Sequence, residues 1–75
     1  MTVILHAHLR ERLPAEARGR TQIDLSEGTT VREVKSRLGL PEAVAWAIND
    51  ILDEDPDRIL QEGDTIRFFQ AIHGG

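Results

Sequence analysis

The chain has 75 residues, with nine Lys plus Arg against thirteen Asp plus Glu, a formal charge of −4 at pH 7 and no cysteine. A chain of this size buries only about 60% of the surface its unfolded form exposes, so it builds one thin core without the deep pocket of a self-contained enzyme, and a second domain is excluded. The missing thiols rule out disulfides, thiolate zinc sites and a cysteine nucleophile, and the acidic balance, with no basic patch along the sequence, argues against nucleic acid as a partner.

Alternation of Val3, Leu5, Ala7 and Leu9 with Ile4, His6, His8 and Arg10 predicts a first strand over residues 2–10. Leu13 to Gly19, holding a proline and a glycine, reads as the loop of a hairpin. Thr21, Ile23 and Leu25 alternate with polar residues and predict the second, antiparallel strand. Thr30-Val31-Arg32-Glu33 fits a capping box; Val31, Val34 and Leu38 follow at helical spacing, and Gly39 and Pro41 stop the helix near residue 38. So short a helix is held by docking its apolar stripe on a sheet.

Residues 42–52 satisfy both helical and strand spacing, and the turn-favouring pair Asn49-Asp50 tips them toward a strand at 43–48 and a short one at 51–52. Asp53 to Asp57 reads as a solvated loop, Ile59-Leu60 as a core plug, and Thr65 to Ile72 as the last strand. The expected organisation is a domain over 1–71 with a flexible tail at 72–75.

Most polar signals have ordinary readings. Asp53, Asp55 and Asp57 match the first positions of a calcium loop, but Arg58 stands where the loop needs glycine and Asp64 where it needs glutamate. His6, His8 and His73 lack the further ligands a zinc site requires, so no metal is expected. Trp46 reads as a core residue. No stretch approaches twenty apolar residues and the start lacks a signal-peptide pattern, so no membrane association and a cytoplasmic location are expected. Gly74-Gly75 is different: chance places such a pair at a chain end in about 0.5% of sequences. Two glycines remove both Cβ atoms beside the carboxylate, so the end can thread a narrow channel, and five extended residues from Ala71 reach about 17 Å.

Taken together, strand, hairpin, strand, capped helix, strands and Gly-Gly end resemble the ubiquitin-like β-grasp, an α+β fold with a mixed four- to five-stranded sheet and one helix on one face. The chain is similar over its length to the MoaD/ThiS family of sulfur-carrier proteins, and most of all to the small subunit of molybdopterin synthase. The similarity is carried by Leu9-Arg10-Glu11, Glu27-Gly28-Thr29-Thr30-Val31, Leu38-Gly39-Leu40-Pro41, Asn49, Gly63-Asp64 and Phe68-Phe69. It implies a carrier that is no enzyme and binds no cofactor. A ubiquitin-activating-type adenylating enzyme would spend ATP to adenylate Gly75, with Gly74 beside it, and a persulfide would convert the carboxylate to a thiocarboxylate. That sulfur would pass to a synthase in molybdopterin or tungstopterin synthesis, with thiamine synthesis as the next choice. The resemblance also implies a partner-binding patch of His6, Leu52 and Phe69; alternation leaves His6 and Phe69 on the uncovered sheet face, and Leu52 is expected to flank them. The alternative is a ubiquitin-like modifier conjugated through Gly75 to target lysines. Gln70-Ala71 in place of Pro-Pro, and Asp50 in place of glycine, depart from the molybdopterin-type pattern.

Overall fold

The computed structural model describes residues 1–70. Its strands are β1 (Thr2–Leu5), β2 (Arg20–Gln22), β3 (Val44–Ile48), β4 (Ile51–Asp53) and β5 (Thr65–Gln70), with one α-helix, α1 (Val31–Leu38). The sheet order is β2-β1-β5-β3-β4. β1 and β5 run parallel in the centre, and every other pair is antiparallel. This is the β-grasp arrangement, with α1 covering one face.

The helix begins and ends where its sequence says. Thr30 Oγ1 accepts from the Glu33 amide at 3.3 Å, although the return bond from the Glu33 side chain does not form. The loop after β4 does the rest: Val31 N donates to Arg58 O (3.1 Å) and Arg32 N to Pro56 O (2.8 Å). These acceptors satisfy amides that a helix start cannot pair internally. At the other end Gly39 adopts φ 66°, and Leu40 N donates back to Lys35 O at 3.0 Å.

Two strand expectations need correction. β1 stops at Leu5, because Ala7 takes φ 52° and Ala7–Arg12 winds into a 3₁₀ helix. Leu9 still enters the core, since the tight turn brings it back under the sheet, where it is 3% exposed. β2 ends at Gln22, whereas Ile23 and Leu25 pack on the core from irregular backbone. Alternation reports which side chains point inward, and a 3₁₀ turn or a loop can satisfy it without ladder bonds.

The β3–β4 hairpin turns at Asn49 (φ 51°) and Asp50 (φ 69°), the two left-handed residues a two-residue turn demands and types that tolerate them. Asn49 also ties the turn to β5, donating from Nδ2 to Asp64 (2.9 Å) and accepting from the Thr65 amide (3.0 Å). The core joins Val3, Leu5 and Leu9 to Val31 and Val34 of α1 and to Trp46, Leu60, Ile66 and Phe68. Of the expected plug only Leu60 is buried, and Ile59 is 55% exposed, because its backbone bridges Thr30 at the surface and turns its side chain outward. Among the described residues no helix is long and apolar enough to cross a membrane.

Candidate functional site

Strand register decides which side chains share the face that α1 leaves open. Residues paired across a sheet lie on the same side, and Val3, Trp46, Ile66 and Phe68 belong to the core. One outer row therefore reads Leu52, Ala47, Arg67, Ile4, Arg20, and the next pairs Ala45 with Phe69. Phe69 and Leu52 stand on neighbouring rows with two alanines as the low floor between them.

The three residues expected to form a partner-binding patch lie on or beside this face. Leu52 is 73% exposed. Phe69 is half-buried rather than fully exposed, since β5 is a central strand with neighbours on both sides. His6 is exposed and lies just past the end of β1, its amide donating to Phe68 O at 3.1 Å, so it flanks Phe69 from the end of the sheet. His6 and His8 no longer share a strand face, because the 3₁₀ turn intervenes. The sequence reading missed Ile4, Ala45 and Ala47 as parts of this surface. The alternation of alanine with Trp46 was the available signal. Ile4 is only 9% exposed despite its outward position, consistent with the stems of Arg67 and Arg20 lying to either side of it.

On the opposite side of β3, Trp46 is 6% exposed and donates from Nε1 to Asp53 at 3.0 Å. Burial alone would push the Asp53 carboxyl up, but bonds from Trp46, Arg58 (2.7 Å) and the Asp55 amide (3.2 Å) together hold it below the usual carboxylate range. The rest of the acidic loop is similarly occupied: Asp55 accepts from the Asp57 amide at 3.0 Å, and Asp57 pairs with Arg32 at 3.1 Å. These carboxylates serve the loop's own geometry. Among the described residues no three His, Asp or Glu side chains converge to hold a metal.

The sign of the Asp53 shift sets a pH dependence. A carboxyl held low in the folded state stabilises the fold above its unfolded value of about 3.9, and the contribution vanishes as pH falls through the lower folded value. Melting temperature measured between pH 6 and about pH 2 should therefore fall more steeply for the wild type than for Asp53→Asn below about pH 4. Parallel curves would show that the carboxylate's bonds do not favour its charged form.

Gly74 and Gly75, the expected reactive residues, lie outside the described residues. The described part of β5 runs in register with β1 as far as Phe68 and with β3 as far as Gln70, which pairs with Val44, five positions before Gly75. The sequence profile of the ThiS family matches residues 3–75, which includes both β5 and the Gly-Gly pair. The chain belongs to the ThiS family. Its fold is also that of the crystal structure of SAMP1 from Haloferax volcanii, with a TM-score of 0.72 at 18% sequence identity, covering 100% of this chain and 98% of that one. No curated protein matches. For a ThiS-family chain the described residues thus supply a scaffold, an uncovered face centred on Phe69, and the end of β5.

Proposed function

We propose that this protein is a sulfur carrier whose Gly75 carboxylate is the reacting group, and that it is a substrate of other enzymes rather than an enzyme. The observation that carries this reading is the family match running unbroken to Gly75. Attack of the Gly75 carboxylate on the α-phosphate of ATP, in the active site of a ubiquitin-activating-type adenylating enzyme, would release pyrophosphate and form an acyl adenylate. The outer sulfur of a partner's persulfide would displace AMP, and cleavage of the resulting S–S bond by a partner thiol would leave the thiocarboxylate. A synthase would then take that sulfur into a pterin or thiamine precursor. The domain's task is to be recognised while its end reaches into the partner.

The modifier reading shares the adenylation step and differs in the acceptor. Lys35 is the single lysine of the sequence. It is 9% exposed, with Nζ donating to Glu42 O at 3.3 Å and lying 5.2 Å from the centre of the Trp46 ring. A held ammonium is a poor nucleophile, so this geometry disfavours lysine-linked chains of the protein on itself. Mass spectrometry of material from the native host separates the two readings. Sulfur-for-oxygen exchange at Gly75 supports the carrier, while branched peptides ending in Gly-Gly on other proteins, without that exchange, overturn it.

The uncovered face gives this reading its recognition surface. An aromatic ring over a floor of alanines, beside an exposed leucine, has the make-up of an interface anchor. Phe69→Ala should weaken binding to the adenylating enzyme or the synthase by about 1–3 kcal/mol, with a smaller loss of domain stability. Titration calorimetry beside thermal melts checks this. Unchanged affinity would remove Phe69 from the interface.

A further inference from the structure

The sequence shows no basic patch, because Glu11 and Glu16 interrupt its arginines and the overall charge is negative. Folding creates one. Of the eight arginines, Arg32, Arg58 and Arg67 each pair with an aspartate, at 3.1, 2.7 and 3.3 Å. The other five, Arg10, Arg12, Arg18, Arg20 and Arg37, are exposed and make no ion pair among the described residues.

The fold brings these five to one end. The 3₁₀ turn carrying Arg10 and Arg12 starts where β1 passes Phe68 near the end of β5. Leu5 N donates to Gly19 O at 2.6 Å, which sets Arg18 and Arg20 beside that turn. The contact depends on glycine: a Cβ at residue 19, already at φ 77°, would stand 2.6 Å from Leu5 O and 2.8 Å from Cγ of Arg10, whose side chain lies across it. Arg12 reaches toward Gly39, with a guanidinium nitrogen 4.0 Å from where that residue's Cβ would be, so the end of α1 adds Arg37 to the group. Five arginines against Glu11, Glu16 and Glu42, which precedes β3 at the same end of the sheet, give this end +2, and the rest of the chain, with four cations and ten acids, carries −6. Asp50 in the β3–β4 turn, Glu62 and Asp64 mark the far end of the strands, near Met1 and Thr2, and Arg67, midway along β5 in register with Ile4, reaches back to Asp50.

Like charges gathered without partners repel one another, so their charge does not stabilise the fold. They sit, however, at the end of the sheet where β5 finishes and the chain goes on to Gly74-Gly75. We propose that the arginine lobe is a docking surface for a carboxylate-lined patch on the protein that takes up the Gly-Gly end, and that the charge polarity of the domain turns that end toward the partner during approach. The inference rests on the carrier reading above and adds a second contact to it, distinct in chemistry from the face of Phe69, which it adjoins through Arg20. Complementary charge acts mainly on encounter rate and orientation and is weakened by salt.

The test is ATP–pyrophosphate exchange by the adenylating enzyme of the same host, comparing the wild type with a fourfold variant, Arg10→Gln, Arg12→Gln, Arg18→Gln and Arg20→Gln. Arg32→Gln, which removes an arginine already paired with Asp57, is the control. Neutralising the lobe should lower kcat/KM about tenfold at 50 mM salt, through KM, and the gap should close near 0.5 M salt as screening shortens the reach of charge. The control should follow the wild type. If the fourfold variant melts early, Arg12→Gln and Arg20→Gln singly, neither lying over Gly19, should each show part of the same salt-dependent loss. Equal kcat/KM and salt slopes overturn the docking inference and leave the carrier reading standing, as does a loss in kcat that salt does not alter. Unchanged exchange with lobe-dependent binding of single-stranded DNA reassigns the surface to polyanions and overturns it too. Absence of exchange with the wild type overturns the carrier reading and the inference with it.

Discussion

Removing Gly75 should reduce ATP–pyrophosphate exchange by the cognate adenylating enzyme to background while leaving the melting temperature of the domain unchanged. The argument has two independent halves. Chemically, the variant ends on Gly74, so the carboxylate sits one residue, about 3.5 Å, short of the place the partner has shaped for it. Catalysis of this kind depends on holding reacting atoms within a fraction of that distance, and a misplacement of about 1 Å alone can cost a hundredfold. Structurally, the core of the described residues runs from Met1 to Phe68, and residue 75 is a glycine with no side chain to add to it. Exchange at the wild-type rate would mean that the reacting group lies elsewhere, and the carrier reading would fall. Exchange lost together with the fold would mean that the tail is part of the domain.

The largest effect on stability should come from the neighbouring residue of the same strand, one position before the proposed anchor. Phe68 is fully buried between β1 and β3, paired in register with Leu5 and Trp46, its ring centre 6.4 Å from that of Trp46. Truncating a buried phenylalanine to alanine costs about 3–5 kcal/mol in lost transfer energy and cavity. A core this small supplies net stability of only about 3–5 kcal/mol, so Phe68→Ala should leave much of the protein unfolded in buffer at room temperature. Urea titration followed by Trp46 fluorescence reads this directly. Phe69→Ala, with the same atoms removed one residue later, should shift the midpoint much less. Reversal of that order would place Phe69 in the core and remove the anchor from the outer face.

How far these features could be read from the sequence depends on the range of the interactions behind them. The helix was legible to the residue, because Thr30, Gly39 and the Val31/Val34/Leu38 stripe act within a turn or two of chain. The inward pattern of the first strand was legible at Val3, Leu5 and Leu9, which are all buried, but not at Ala7, which is exposed. Its length was not, since the break at Ala7 comes from a left-handed residue with no glycine to announce it. Residues 43–48 satisfied two periodicities, and only pairing with β5, twenty residues further on, makes them a strand. For the surface, Phe69 could be assigned to the outer face by alternation and Leu52 only through the family resemblance, and how deeply Phe69 sits depends on β5 being central. The arginine lobe was hidden for the same reason: Arg37 joins Arg10, Arg12, Arg18 and Arg20 only because Arg12 reaches the end of α1 at Gly39, and sequence spacing carries no trace of that.

The central claim is that sulfur is loaded on Gly75. Its most direct test is the mass of the C-terminal peptide after the full-length protein is incubated with the adenylating enzyme, a persulfide donor and ATP. The account predicts exchange of one oxygen for sulfur, confined to Gly75 and absent when ATP is withheld. A peptide of unchanged mass in a reaction that nevertheless releases pyrophosphate, or sulfur found on any residue other than Gly75, would contradict it.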